Sequence, residues 1–299
     1  MHDDPLAIFL ARSAFREAGA VITDLDGTAL DEWEGRIRVH PEVEFGLKRL
    51  AELGRPVAIN TLRFPLNVVR TFGRAWSSIT DEPLPFVSLN GAQTGLLLPG
   101  PGDTVVFDEL DAVPVTPAEV AEVLEGVEGL VAGGVEELLV FFYGRDWQLG
   151  ERIWAPGEAG AEAARDRYRS ASEVFHGPVE ALRRRLAAEE VLMIFLLVSI
   201  PEDKRMAYQH ARPSSFVTHR GVDKLDGARR LADRLGFSLP DSVGCGDTPM
   251  DAFLAGCGLA VQVGPQALEH KGVHATLRVP DPAGLGALLR RLSAEGGAS

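Results

Sequence analysis

The chain has 299 residues, 45% of them hydrophobic, and a mean hydropathy near zero, which suits one large or two medium globular domains rather than a disordered polymer. A formal charge of −13 and a pI near 5.0 argue against a nucleic-acid or anionic-membrane surface, because such surfaces need clustered Lys and Arg. Only Cys245 and Cys257 occur, in no metal-ligand spacing, so neither a disulfide framework nor a zinc site is expected and a reducing cytoplasm fits best.

From the N-terminus, residues 5–18 (PLAIFLARSAFREA) mix apolar and charged groups as a helix would, and Gly19 follows as a stop. Asp3, Asp4, Arg12 and Arg16 interrupt the apolar run that a signal peptide requires. Residues 20–25 then read as a strand, and Val43, Leu47, Leu50 and Leu53 share one face of a helix ending at Gly54. A strand at 56–61, a helix starting near Pro65 and a strand at 85–90 follow. Alternation of this kind predicts a parallel sheet with helices on both faces.

Between about 92 and 212 the texture changes. The segments DTVVFDEL, ELLVFFYGRDWQLGERIW and VLMIFLLVSI are strand-like, and helices are expected from near Thr116, Gly157 and Pro178. The apolar run at 191–200 is about half as long as a membrane helix, so it reads as a buried strand. The α/β rhythm then returns: a helix over 227–237, a strand over 241–247, a short helix over 252–258, strands over 259–264 and 275–280, and a C-terminal helix with a frayed tail. The expected fold is therefore α/β, a doubly wound, Rossmann-like parallel-sheet core (1–92 and 213–299) carrying an inserted α+β cap domain (93–212).

Two strands end in carboxylates. In GAVITDLDGTAL, strand alternation puts Asp24 and Asp26 on one side, and a mere Asp-Gly hairpin would have no use for Asp24. In VGCGDTPMD, Asp247 is followed four residues later by Asp251, although Thr248 as an N-cap and Pro249 at a first helical position give that segment a structural reading too. Strand C-termini gather on one edge of a parallel sheet, so these acids should converge there. Packed carboxylates repel unless a cation neutralises them or protons are retained, and an oxygen-only ligand set points to Mg²⁺. Lys224 starts a helix, where the macrodipole disfavours a cation, so it is either a solvated surface lysine or a phosphate-binding group aimed at the acids. Thr61 brings a hydroxyl to the same edge or bonds its own backbone.

In order and spacing, Asp24-Leu25-Asp26-Gly27-Thr28, strand-end Thr61, Lys224 and Gly246-Asp247 with Asp251 resemble the four motifs of the haloacid dehalogenase superfamily. The segments SLNGA (88–92) and GVDKLDGARRLADRLGF resemble its Cof-type branch with a large cap, which includes sucrose-phosphate and trehalose-phosphate phosphatases. The resemblance implies that Asp24 is a nucleophile forming an aspartyl-phosphate and that Asp26 moves protons. It implies that Asp24, Asp247 and the backbone carbonyl of Asp26 hold Mg²⁺, with Asp251 orienting a water on the ion or the Lys224 side chain. Thr61 and Lys224 would stabilise the phosphoryl oxygens.

Gly27, Leu62, Arg63, Asn90 and Arg145 are candidate substrate contacts. The chain departs from the family's Thr-Gly-Arg at Thr61-Leu62-Arg63, and Met250 stands where many members have Asn. In the insert, Phe141, Phe142, Tyr143, Arg145, Trp147, Arg152 and Trp154 either grip a sugar or an anion or form the cap's own core. His176, His210 and His219 read as surface residues. The implied activity is a cytoplasmic phosphatase for a small phosphorylated molecule, a sugar phosphate foremost, with no nucleic-acid or membrane partner. A phosphosugar mutase of the same core and cap type, or a non-catalytic binding protein of this fold, are the alternatives.

Overall fold

The computed structural model describes residues 4–33, 36–77, 79–80, 82–135, 137–198 and 214–296. The chain opens with α1 (Pro5–Arg12) and α2 (Phe15–Ala18) where one helix is expected. Ser13 is extended, and its hydroxyl donates back to the Phe9 carbonyl at 2.8 Å, which ends the first helix. Then come β1 (Val21–Thr23), a hairpin of β2 (Leu30–Trp33) and β3 (Arg36–Val39) that the sequence pattern does not announce, α3 (Pro41–Glu52), β4 (Val57–Asn60), α4 (Pro65–Ser77) and β5 (Leu84–Ser88). β6 (Gln93–Pro99) and β7 (Val105–Ala112) follow.

After the insert, α8 (Lys224–Leu235), β13 (Val243–Gly246), β14 (Leu259–Val263), β15 (Ala275–Val279) and α9 (Pro282–Gly296) complete the first unit. The short helix expected over 252–258 is a 3-10 turn, Ala252–Ala255. The eight-stranded sheet runs β15-β14-β13-β1-β4-β5-β6-β7, parallel from β15 through β5, and β6 joins β5 antiparallel. Ile22, Ala58, Val87 and Ala260 from its strands pack with Ala228, Leu231 and Phe253 in a buried apolar core.

The second unit comprises residues 64–67 and 112–221. It contains α5 (Pro117–Ala132), β8 (Leu138–Gly144), β9 (Glu151–Ala155), α6 (Glu158–Arg167), β10 (Glu173–His176), α7 (Val179–Leu186), β11 (Val191–Val198) and β12 (Ser214–Val217). Its sheet runs β10-β9-β8-β11-β12, and every pairing except β10 with β9 is antiparallel. Val123, Leu124 and Val127 of α5 and Leu182 and Leu186 of α7 cover Val140, Phe142, Trp154 and Ile194 on one face.

The contact division falls at 111/112 and 221/222, not at the expected 92/93 and 212/213. The reason is that β6 and β7 extend the core sheet by hydrogen bonding instead of opening the insert. The expected 212/213 junction lies outside the described residues, as do His210 and the last two residues of the run at 191–200.

Candidate active site

Three neighbouring strands of the first sheet, β13, β1 and β4, end together in register, with Val21 level with both Val243 and Val57. Their C-terminal ends therefore deliver Asp247, Asp24 and Thr61 to one edge. β1 stops at Thr23, so the strand alternation does not reach Asp26 as expected. Instead the chain folds into a tight loop in which the Leu25 carbonyl accepts N–H bonds from Thr28, Ala29 and Leu30 at 3.3, 3.0 and 2.9 Å. Asp24 is consequently buried, while the Asp26 side chain is 54% exposed.

Gly27 sits at φ 76°, and a Cβ there would fall 2.1 Å from Asp247 Oδ2, so only glycine lets the loop approach that carboxylate. Asp247 Oδ1 in turn accepts the Thr28 hydroxyl at 3.0 Å. Gly246 serves the other side, because a Cβ there would meet the Asp251 side chain at 2.7 Å.

Lys224 is the first residue of α8 and is buried. Its ammonium donates to Asp24 Oδ1 and Asp251 Oδ1, each at 2.6 Å. Those two carboxylates resolve the conflict between a cation and a helix N-terminus, and Asp223 caps the same helix by accepting from the N–H groups of Leu225 and Asp226. Asn60, fully buried at the end of β4, donates to the Lys224 carbonyl at 2.8 Å. Asp251 is also fully buried, and its Oδ2 accepts the N–H groups of Asp247 and Thr248, both at 2.9 Å, and the Thr248 hydroxyl at 3.2 Å. The chain thus places Asp251 as a brace for Lys224 and for the loop that carries Asp247.

Oxygens of Asp24, Asp247 and Asp251 lie within 4.8 Å of one another. Burial first, and then Asp251 and Asp247, push the Asp24 carboxyl up to about 7 against the opposing pull of Lys224. Burial likewise raises Asp247, with the Thr28 bond working the other way. Lys224 is itself raised, since Asp24 and Asp251 outweigh the burial that would lower it. One ammonium among three carboxylates leaves negative charge over, and a hard divalent cation among hard oxygen donors would satisfy it. The donor set therefore fits Mg²⁺. Asp24 and Asp247 each spend one oxygen on a protein donor, whereas Asp251 spends both and so has least to give an ion.

Thr61 is fully buried, and its hydroxyl oxygen accepts the Arg63 N–H at 3.2 Å, which leaves its own proton to donate. Arg63 forms a two-pronged ion pair with Asp26, Nε to Oδ2 at 2.8 Å and Nη2 to Oδ1 at 2.6 Å. Leu62 is half-buried. Asn90 sits at φ 55° and donates its N–H to the Thr61 carbonyl at 3.4 Å.

Arg145 lies in the second unit, where its exposed guanidinium pairs with Glu190 at 3.0 Å. Of the aromatic run around it, Phe141, Phe142, Tyr143 and Trp154 are buried, as is Arg152, which pairs with Glu189 and lies 4.7 Å from the Phe142 ring centroid. The run is thus largely internal to the second unit. The supporting bonds of two residues of the first unit escape sequence reasoning, those of Asn60 and of Thr28, which the first motif includes without a role. A polar residue closing the apolar run PVAIN, and a threonine two residues beyond Asp26, were the available signals.

No family model matches the chain, and no curated protein does. Solved structures do. A hypothetical protein from Geobacillus kaustophilus aligns with TM-score 0.62 and 22% identity over 92% of this chain and 98% of its own. The sugar phosphatase BT4131, of haloacid dehalogenase subclass IIB, aligns with TM-score 0.63 and 16% identity over 94% and 100%. BT1666 from Bacteroides thetaiotaomicron, a phosphatase of the haloalkanoate superfamily, aligns with TM-score 0.65 and 15% identity over 96% and 98%. At these identities the likeness establishes architecture, and it spans nearly the whole of every chain compared. The protein has the fold of the haloacid dehalogenase superfamily phosphatases, a doubly wound α/β core with an inserted α+β unit.

Proposed function

We propose that this protein is a Mg²⁺-dependent phosphomonoesterase that hydrolyses a small organic phosphate, a sugar phosphate foremost, through an aspartyl-phosphate on Asp24. The observation that carries the reading is the buried Asp24–Lys224–Asp251 arrangement beside Asp247 at the C-terminal edge of a parallel sheet. The phosphatases among the structural neighbours support it.

Asp24, Asp247 and the backbone carbonyl of Asp26 would hold the ion. Bound there, it would neutralise the carboxylates and the charge on the phosphoryl oxygens. An Asp24 carboxylate oxygen attacks phosphorus as the bond to the alcohol oxygen breaks, and Asp26 gives that oxygen its proton. In the second half, Asp26 takes a proton from water as the water oxygen bonds to phosphorus and the Asp24–phosphorus bond breaks. Inorganic phosphate and the original carboxylate result. Lys224 and the Thr61 hydroxyl stabilise the oxygens of the transferring group, and Asp251 keeps Lys224 in place. Gly27, Leu62 and Asn90 are contacts from the loops at this edge.

The test is phosphate release over a panel of sugar phosphates, nucleotides and an aryl phosphate, with Mg²⁺ and with EDTA. Metal-dependent release lost in Asp24→Asn is expected. Isomer formation without release would indicate a mutase, and tight binding without turnover would indicate a binding protein.

A further inference from the structure

The Asp26 carboxylate is more than half exposed, and an exposed aspartate on a loop samples several rotamers unless something holds it. Here the fork of Arg63 meets both carboxylate oxygens, which fixes the plane of the group as well as its position. Each oxygen keeps a second lone-pair direction for proton exchange. The guanidinium is itself supported. Its carbon lies 5.1 Å from the centroid of the Phe72 ring, a buried residue of α4, and its side chain is 24% exposed. The backbone at Arg63 is pinned on both sides, its N–H to the Thr61 hydroxyl at 3.2 Å and its carbonyl to the Leu89 N–H at 3.2 Å.

Resting on the phosphatase reading, we infer that Arg63 is a positioning residue that orients Asp26 for proton transfer to the leaving oxygen, and not a residue that grips substrate. The role explains why Leu62 can stand in place of a glycine: the position that matters is the arginine, and its backbone bonds hold without one.

The two roles separate by leaving group together with the kinetic parameter affected, since a lost grip on the sugar raises KM and leaves kcat, whereas lost proton transfer lowers kcat for the sugar phosphate. An alkoxide departing from a hexose phosphate needs a proton, whereas p-nitrophenolate leaves without one, and kcat/KM reports events only up to that departure. With Mg²⁺ present, Arg63→Ala should lower kcat/KM for glucose 6-phosphate by about 100-fold while changing that for p-nitrophenyl phosphate by less than about threefold. Arg63→Lys, which keeps the charge but loses the fork, should recover only part of the loss, and free guanidinium should partly rescue Arg63→Ala.

A readout without turnover accompanies these. In EDTA, the shifts in Tm of Arg63→Ala and Asp26→Asn should not add in the double variant. Equal losses on both phosphates, no loss on either, or additive Tm shifts would overturn the inference. If Arg63→Ala does not fold, Arg63→Lys must show the same split between substrates. A parent protein that releases no phosphate from either compound would overturn the phosphatase reading itself, and this inference with it.

Discussion

Lys224 is the residue on which the site's electrostatics turn. Removing it would leave Asp24 and Asp251 buried with no cation, and breaking a buried pair costs far more than losing a surface one. Lys224→Met should therefore lower the unfolding free energy by about 3–5 kcal/mol in EDTA, measured by urea denaturation. Added Mg²⁺ should restore more stability to this variant than to the parent, because the ion then supplies the missing positive charge. An equal Mg²⁺ effect in both proteins would contradict the arrangement. The acids were legible in the sequence because each pair follows an apolar strand at once, and Lys224 because a cation at a helix start is out of place. The bonds of Asn60 and Thr28 were not, because they go to Lys224 and Asp247, 164 and 219 residues away.

Helix starts show the same division between local and distant signals. Thr116, Gly157 and Pro178 were readable as starts and are the N-caps of α5, α6 and α7. Thr116 forms a full capping box with Glu119. What the capping pattern does not reveal is that Glu119 also accepts from the Arg220 N–H at 2.8 Å and pairs with His219 Nδ1 at 3.0 Å.

Burial alone would raise the Glu119 carboxyl, but the bonds from His219, Thr116 and Arg220 bring it down to about 2. A carboxyl whose folded value is depressed contributes stability above its ordinary value of 4.5 and loses it as pH falls through about 2. Parent and Glu119→Gln should accordingly differ in Tm near neutral pH, and the gap should close as the solution is acidified through that window. A gap independent of pH would show that the charge on Glu119 does not matter. The strands that sequence reading missed are β2, β3, β6, β10 and β12. Four of these have only four residues, and what makes each a strand is its partner, as Glu173–His176 pairs with Arg152–Ala155 in β10 and β9.

At the scale of the whole molecule, the α/β core and the inserted unit were both foreseeable from the change in rhythm between strand–helix alternation and a strand-rich block. The junctions were not, because β6 and β7 read as the start of the insert while their hydrogen bonds belong to the core sheet. The insert's aromatic run was open to two readings. Burial of Phe141, Phe142, Tyr143 and Trp154 assigns most of it to packing within the second unit. Among the described residues no helix is long and apolar enough to cross a membrane.

The central claim is that the two neighbouring aspartates divide the chemistry, Asp24 bonding to phosphorus and Asp26 carrying protons. Asp26→Asn should reduce turnover by about 10²–10⁴-fold yet still allow attack on an aryl phosphate, whose leaving group needs no proton. The most direct measurement is therefore intact-protein and peptide mass spectrometry of Asp26→Asn after rapid mixing with p-nitrophenyl phosphate and Mg²⁺. A phosphate adduct confined to the peptide containing Asp24, and absent from Asp24→Asn, is the expected result. Undiminished phosphate release by Asp24→Asn, or an adduct on any other residue, would contradict it.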